Sequence, residues 1–158
     1  LDKLVNWCVN KKFDITFIEV MPMDMENNIR LGQYYPLTKI KTFLENKYSL
    51  ENTNISTGGP SKYMRIKNSN QKIGFITPLT NNFCESCNRV RLTCSGRIYS
   101  CLGHNKFVDL KKGLSKNKKE LKNLILKSIY LKPKSHEFEI NKENNNKNLE
   151  RTMNVTGG

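Results

Sequence analysis

Residues 83–101 read FCESCNRVRLTCSGRIYSC, from Phe83 to Cys101, and the rest of the chain is organised around them. This stretch holds four of the five cysteines. Cys84 and Cys87 form a C-x2-C pair, and thirteen residues separate Cys87 from Cys101. Val90 and Leu92 alternate with Arg89, Arg91 and Thr93, which predicts a short strand with a basic face. Ser95-Gly96 predicts a turn, and Arg97 to Ser100 a return strand that brings Cys101 back to the pair. Two sulfurs two residues apart face one point from a tight turn, and a hairpin returns a third. The pattern is that of a metal or cluster site.

Two chemistries fit it. Cys84, Cys87, Cys101 and His104 spell a Cys₃His zinc set, with Cys94 as another fourth ligand. The same three cysteines also suit a [4Fe-4S] cluster, leaving one iron without a protein ligand and open as a Lewis acid. Spacing alone leans to zinc, because small zinc sites are common. Arg89 and Arg91 lean the other way, since two guanidiniums on one strand face beside a cluster make a pocket for an anionic ligand such as a nucleotide. A basic zinc module that binds nucleic acid is the competing function. It is weakened by the lack of interleaved aromatic residues, with Tyr99 and Phe83 alone at hand for base stacking.

The chain has 158 residues, enough for one domain with a true core. Lys and Arg number 27 against 14 acidic residues, a net charge of +13 that favours anionic partners, although many of the lysines fit a simply solvated surface. An odd cysteine count with a C-x-x-C and no signal-peptide pattern argues for a reducing, cytoplasmic setting rather than a disulfide framework. No apolar run approaches the length needed to cross a bilayer, so no membrane partner is expected.

Taken in order, Leu1, Leu4, Val5 and Cys8 recur at helical spacing and predict a helix over 1–11, with Cys8 a buried thiol. Phe13 to Met21 predicts a strand, and helix–turn–strand is the rhythm of an α/β unit. Glu19 within it is expected on a solvated face or aimed into a site at a barrel mouth. Residues 24–36 read as a crossing loop. Thr38 is the expected cap of a helix reaching Lys47, with Ile40, Phe43 and Leu44 buried. Residues 52–60 read as a loop. Lys62–Lys67 and Lys72–Thr77 predict a hairpin, and Leu121, Leu124, Ile125 and Ile129 a buried stripe on a helix ended by Pro133. Residues 102–117 read as a polar, basic connection. From composition alone, 133–158 is a mobile tail.

The run GFITPLTNNFCESCNRVRLTCSGRIYSCLG resembles the C-terminal part of the GTP 3′,8-cyclase family, radical-SAM enzymes that open molybdenum cofactor biosynthesis. FIEVMPMD, TGGPSKYMRI, LKPKSHEFEI and the terminal Gly157-Gly158 resemble further segments of that family in the same order. The resemblance implies an α+β chain, with residues 1–24 as the last helix and strand of a radical-SAM partial barrel. Residues 25–158 would then be an iron–sulfur and GTP-binding domain with antiparallel strands and helices. It implies that Cys84, Cys87 and Cys101 bind a [4Fe-4S] cluster whose open iron meets the guanine of GTP, that Arg89 and Arg91 bind GTP, and that Gly157 and Gly158 insert into the active-site pocket. Cys94 and His104 are then not ligands. In the family, a radical made from S-adenosylmethionine at another [4Fe-4S] cluster takes the ribose 3′ hydrogen, and the carbon radical attacks C8 of the base. The product, 3′,8-cyclo-7,8-dihydro-GTP, passes to cyclic pyranopterin monophosphate synthase, and a homodimer is implied. The C-x3-C-x2-C motif of the radical-generating cluster is absent, which with the opening Leu1 leads one to expect a fragment or one half of a split protein. Thr16 stands where many members carry Arg.

Overall fold

The computed structural model describes residues 1–23, 32–136, 138 and 149. They form two compact units, one of Leu1–Val20 with Tyr34–Phe83, the other of the described residues in Met21–Gln33 and Cys84–Gly158. The architecture is mixed α+β. Among the described residues no helix is long and apolar enough to cross a membrane.

The first unit is a four-stranded sheet, β1 (Ile15–Ile18), β2 (Leu50–Asn52), β3 (Lys62–Ile66) and β4 (Lys72–Ile76), in the order β1-β4-β3-β2, with α1 (Asp2–Asn10) and α2 (Leu37–Lys47). β1 runs parallel to β4, and the other pairs are antiparallel. Strand alternation sends Ile15 and Phe17, Ile73 and Phe75, and Met64 and Ile66 to one face. There they cluster with Val5 of α1 and with Leu37 and Leu44 of α2. The helix predicted over 1–11 is present, and Cys8 is buried in it. Leu1 and Leu4, expected on its buried stripe, are exposed beside Trp7, whose ring meets Phe13 at 5.7 Å. Phe43 of α2 is likewise exposed, and Leu37 takes the buried place instead. On the opposite face, Gly74 lets its neighbours close in, since a Cβ there would lie 2.7 Å from Thr16 Oγ1 and 2.8 Å from Tyr63 Cε1.

Glu19 is neither solvated nor aimed at an opening. It is 2% exposed and accepts from the backbone N–H of Leu37 (3.2 Å), Leu79 (2.9 Å) and Thr80 (3.1 Å), and from the Thr80 hydroxyl. Burial alone would push this carboxyl up; the hydrogen bonds outweigh it and hold the group below its usual range. The first N–H of α2 is therefore satisfied by Glu19 and not by Thr38, and Pro36 at the N-cap supplies no side-chain bond. At the other end of α2, the Tyr48 hydroxyl donates to Asp2 Oδ1 at 2.5 Å, and Lys47 pairs with Asp2 at 2.6 Å, tying the two helices together.

The second unit holds a three-stranded sheet of β5 (Arg91–Leu92), β6 (Arg97–Tyr99) and β7 (Val108–Asp109), and two helices, α3 (Lys111–Leu114) and α4 (Lys118–Tyr130). β5 and β6 are antiparallel, with Arg91 opposite Tyr99 and Leu92 opposite Ile98. Gly96 makes the turn with φ of +77°, in the region that favours glycine, and Thr93 accepts its N–H at 3.0 Å. Asn117 caps α4 by accepting the Glu120 N–H at 2.9 Å. Ile129, expected in the buried stripe of this helix, is half exposed; Ser128 is buried instead, its hydroxyl satisfied by the Ile125 carbonyl at 2.8 Å. β7 and α3 fall where a polar connection was expected. The predicted tail is corrected over its first residues. Among the described residues, Pro133, His136 and Phe138 are half buried, and a Cβ on Gly103 would lie 2.6 Å from the His136 Cβ. Most of the loop expected at 24–36, and the rest of the tail with Gly157 and Gly158, lie outside the described residues.

Replacing Glu19 by Ala strands three backbone N–H groups, and urea denaturation at pH 7 is expected to show a loss on the order of 2–4 kcal/mol. Because the folded carboxyl titrates below its ordinary value of 4.5, its contribution is complete above that pH and is lost as pH falls through the lower folded value. The stability gap between wild type and Glu19→Gln should therefore narrow on acidification below about pH 4.5. A gap that widens would contradict the hydrogen-bonded carboxylate.

Candidate metal centre

Cys84 opens a single 3₁₀ turn, Cys84–Ser86, and Cys87 follows it with its N–H donated to the Cys84 carbonyl at 3.2 Å. Cys101 comes directly after β6. None of the three is in a disulfide and all are half buried, whereas Cys94 sits exposed at the tip of the hairpin and Cys8 is buried in the other unit. Burial pushes the Cys101 thiol up. The Gly103 N–H and the Lys132 ammonium pull it back, and Cys84 and Cys87 add a smaller push upward. Cys84 and Cys87 thus lie within electrostatic reach of Cys101.

The zinc alternative is not supported. Among the described residues no three His, Cys, Asp or Glu side chains are placed to hold one metal ion. His104 has its Nε2 at 2.8 Å from the Ser135 carbonyl. Cys94 projects from a turn at the far end of the hairpin and is not a fourth ligand.

The two arginines depart from expectation in an informative way. β5 begins only at Arg91, so Arg89 lies outside the paired strand. Even so, burial alternates along the segment, with Arg89 and Arg91 half buried while Val90 is 43% and Leu92 60% exposed. The basic face is the covered one and the apolar face is open, the reverse of an ordinary surface strand. Arg97, on the next strand, lays its guanidinium over the Phe107 ring at 4.4 Å.

Sequence reading missed Lys132. Its Nζ donates to the Arg89 carbonyl at 2.7 Å and to the Ser100 carbonyl at 2.6 Å, bracketing the hairpin. A lysine just past a basic helix carries no signal that sets it apart from its solvated neighbours. Thr16 lies in β1, exposed, on the sheet face away from the helices.

Fold and side chains define a mixed α+β protein whose antiparallel hairpin presents a C-x2-C-x13-C set beside two covered arginines. Residues 13–138 match the family model described as Molybdenum Cofactor Synthesis C, and the chain belongs to that family. It is 42% identical over 160 aligned residues to the GTP 3′,8-cyclase of Brucella ovis, and equally to those of Brucella canis and Brucella abortus. Each alignment takes in all of this chain and 46% of the relative, so the chain spans about half the length of the curated relatives it matches.

Exposure ranks the thiols. Under brief iodoacetamide treatment of the folded, metal-free chain, peptide mass spectrometry should find Cys94 alkylated first, with Cys101 and Cys8 well behind it. Faster labelling of Cys101 than of Cys94 would contradict the hairpin described.

Proposed function

We propose that this chain is the substrate-holding part of a GTP 3′,8-cyclase acting in molybdenum cofactor biosynthesis. The observation that carries the reading is the grouping of Cys84, Cys87 and Cys101, half buried on either side of one hairpin, in a chain matched along its whole length by enzymes of that name. The donor set suits a [4Fe-4S] cluster better than a single ion. A four-iron cube takes one thiolate per iron and so spaces its ligands more widely than a single ion does. When bound, the cluster would supply an open iron as a Lewis acid for the purine.

The protein's own groups do the rest. Arg89 and Arg91, the half-buried residues of their segment, would offer planar, permanently charged donors to phosphate or purine acceptors. In this reading residues 1–24 contribute the closing helix and strand of a radical-SAM barrel, 25–158 form the cluster and GTP domain, and Gly157 and Gly158 enter the pocket. S-adenosylmethionine and a second [4Fe-4S] cluster belong to the part of the relatives that this chain does not span. The protein would act as a homodimer in the cytoplasm and pass its product to cyclic pyranopterin monophosphate synthase.

Anaerobic purification and reconstitution should give a brown chain containing iron and sulfide, and Cys101→Ala should lose both. Calorimetric titration with GTP should show Arg89→Ala and Arg91→Ala each weakened about tenfold or more, with iron content unchanged. Zinc in place of iron, or unaltered GTP affinity in both variants, would sink the proposal.

A further inference from the structure

One ammonium closes the hairpin from behind. Lys132 stands just past α4 and donates to the carbonyl of Arg89, two residues after Cys87, and to that of Ser100, the residue before Cys101. These carbonyls belong to the two chain segments that carry the C-x2-C pair and the third cysteine. The β5–β6 pairing sets Arg91 against Tyr99 and Leu92 against Ile98. Lys132 joins the two segments outside that pairing. None of the ion pairs among the described residues involves Lys132, so no carboxylate there offsets its charge. That charge is close enough to be felt at the Cys101 sulfur.

We propose that Lys132 is the positioning residue of the metal centre: it fixes the spacing between the two cysteine-bearing segments and sets a permanent positive charge beside the thiolates. The proposal rests on the cluster reading given above. Two thiolates and a third returned by a hairpin bring negative charge into a half-covered site, and a fixed cation nearby lowers the free energy of gathering it. A cation beside an iron–sulfur cluster also favours its reduced form, since reduction adds an electron.

The test compares the full chain with Lys132→Met, which keeps the apolar stem and loses donors and charge, and with Lys132→Arg, which keeps both. The exposed Lys122→Met serves as control. In the metal-free chain, hydrogen exchange over 89–101 should quicken in Lys132→Met, while amides of 62–76 stay as in wild type. After reconstitution with iron and sulfide, Lys132→Met should yield iron to a chelator at roughly 10–100-fold lower chelator concentration, the range for losing an outer partner of a metal ligand. Its cluster should reduce at a more negative potential. Lys132→Arg should restore retention and potential. Wild-type exchange, retention and potential in Lys132→Met would overturn the proposal. So would a folded Lys132→Arg that loses iron as readily as Lys132→Met, and this second arm decides the matter should Lys132→Met not fold. A wild-type chain that takes up neither iron nor sulfide sinks the cluster reading and the role of the charge with it. The exchange comparison then decides by itself whether Lys132 locks the hairpin.

Discussion

A carboxylate cannot leave water without donors to replace it, and the first unit is built around meeting that demand for Glu19. Four hydrogen bonds converge on the group from the start of α2 and from the Leu79–Thr80 segment beyond β4. One residue at the end of the edge strand thereby fixes where a helix begins and where the chain goes after the sheet. The apolar cluster beneath it supplies the bulk of the burial, yet apolar contact has no direction. Glu19 supplies the direction. Removing it would leave the cluster intact and the two flanking segments without a reason to be where they are.

Among the described residues the sheet of the second unit is the slighter one, with three strands against four. Its sheet strands run two or three residues, too short to be stable by pairing alone. What the ladder does not provide, side chains do. Thr93 bonds within the turn, Lys132 bridges two carbonyls, and Arg97 rests on Phe107. Such a unit makes sense as the frame of a bound group that would contribute the remaining stability when present. The inverted strand fits the same account. Arginines on a covered face cost solvation unless partners meet them, and sites for anions are one place where that cost is accepted.

Much of this was legible in the residues, for physical reasons that differ from place to place. The hairpin was readable because Gly96 needs a left-handed turn and because Val90, Arg91 and Leu92 alternate. α1 and β1 were readable from periodicity, although β1 is shorter than its apolar run. Phe13 packs on Trp7 instead of extending the strand, and Glu19 turns inward. β2 was hidden because Leu50-Glu51-Asn52 has no strand character of its own; pairing with β3 and the Glu51–Arg65 ion pair at 3.2 Å make it a strand. α3 was hidden because Lys-Lys-Gly-Leu reads as a connection. It forms because Asp109 accepts the Lys111 N–H, and because Gly113 lets Leu121 come close enough that a Cβ would lie 2.9 Å from its Cα. The site was half legible. Cysteine spacing names the candidate ligands, but which face of the arginine strand is covered, and which lysine turns inward, depend on packing that no local pattern encodes.

The parallel pairing of β1 with β4 has a consequence for how the chain reaches this state. β3 and β4 are joined by a tight turn and can zip together within microseconds, whereas Ile15 must wait for Ile73, beyond a helix and two strands. A ribosome releasing this polypeptide would hold α1 and β1 without a docking partner until the hairpin has emerged. The slowest event in assembling the first unit is thus the search of an early segment for a late one, and its speed is set by chain topology more than by any individual contact.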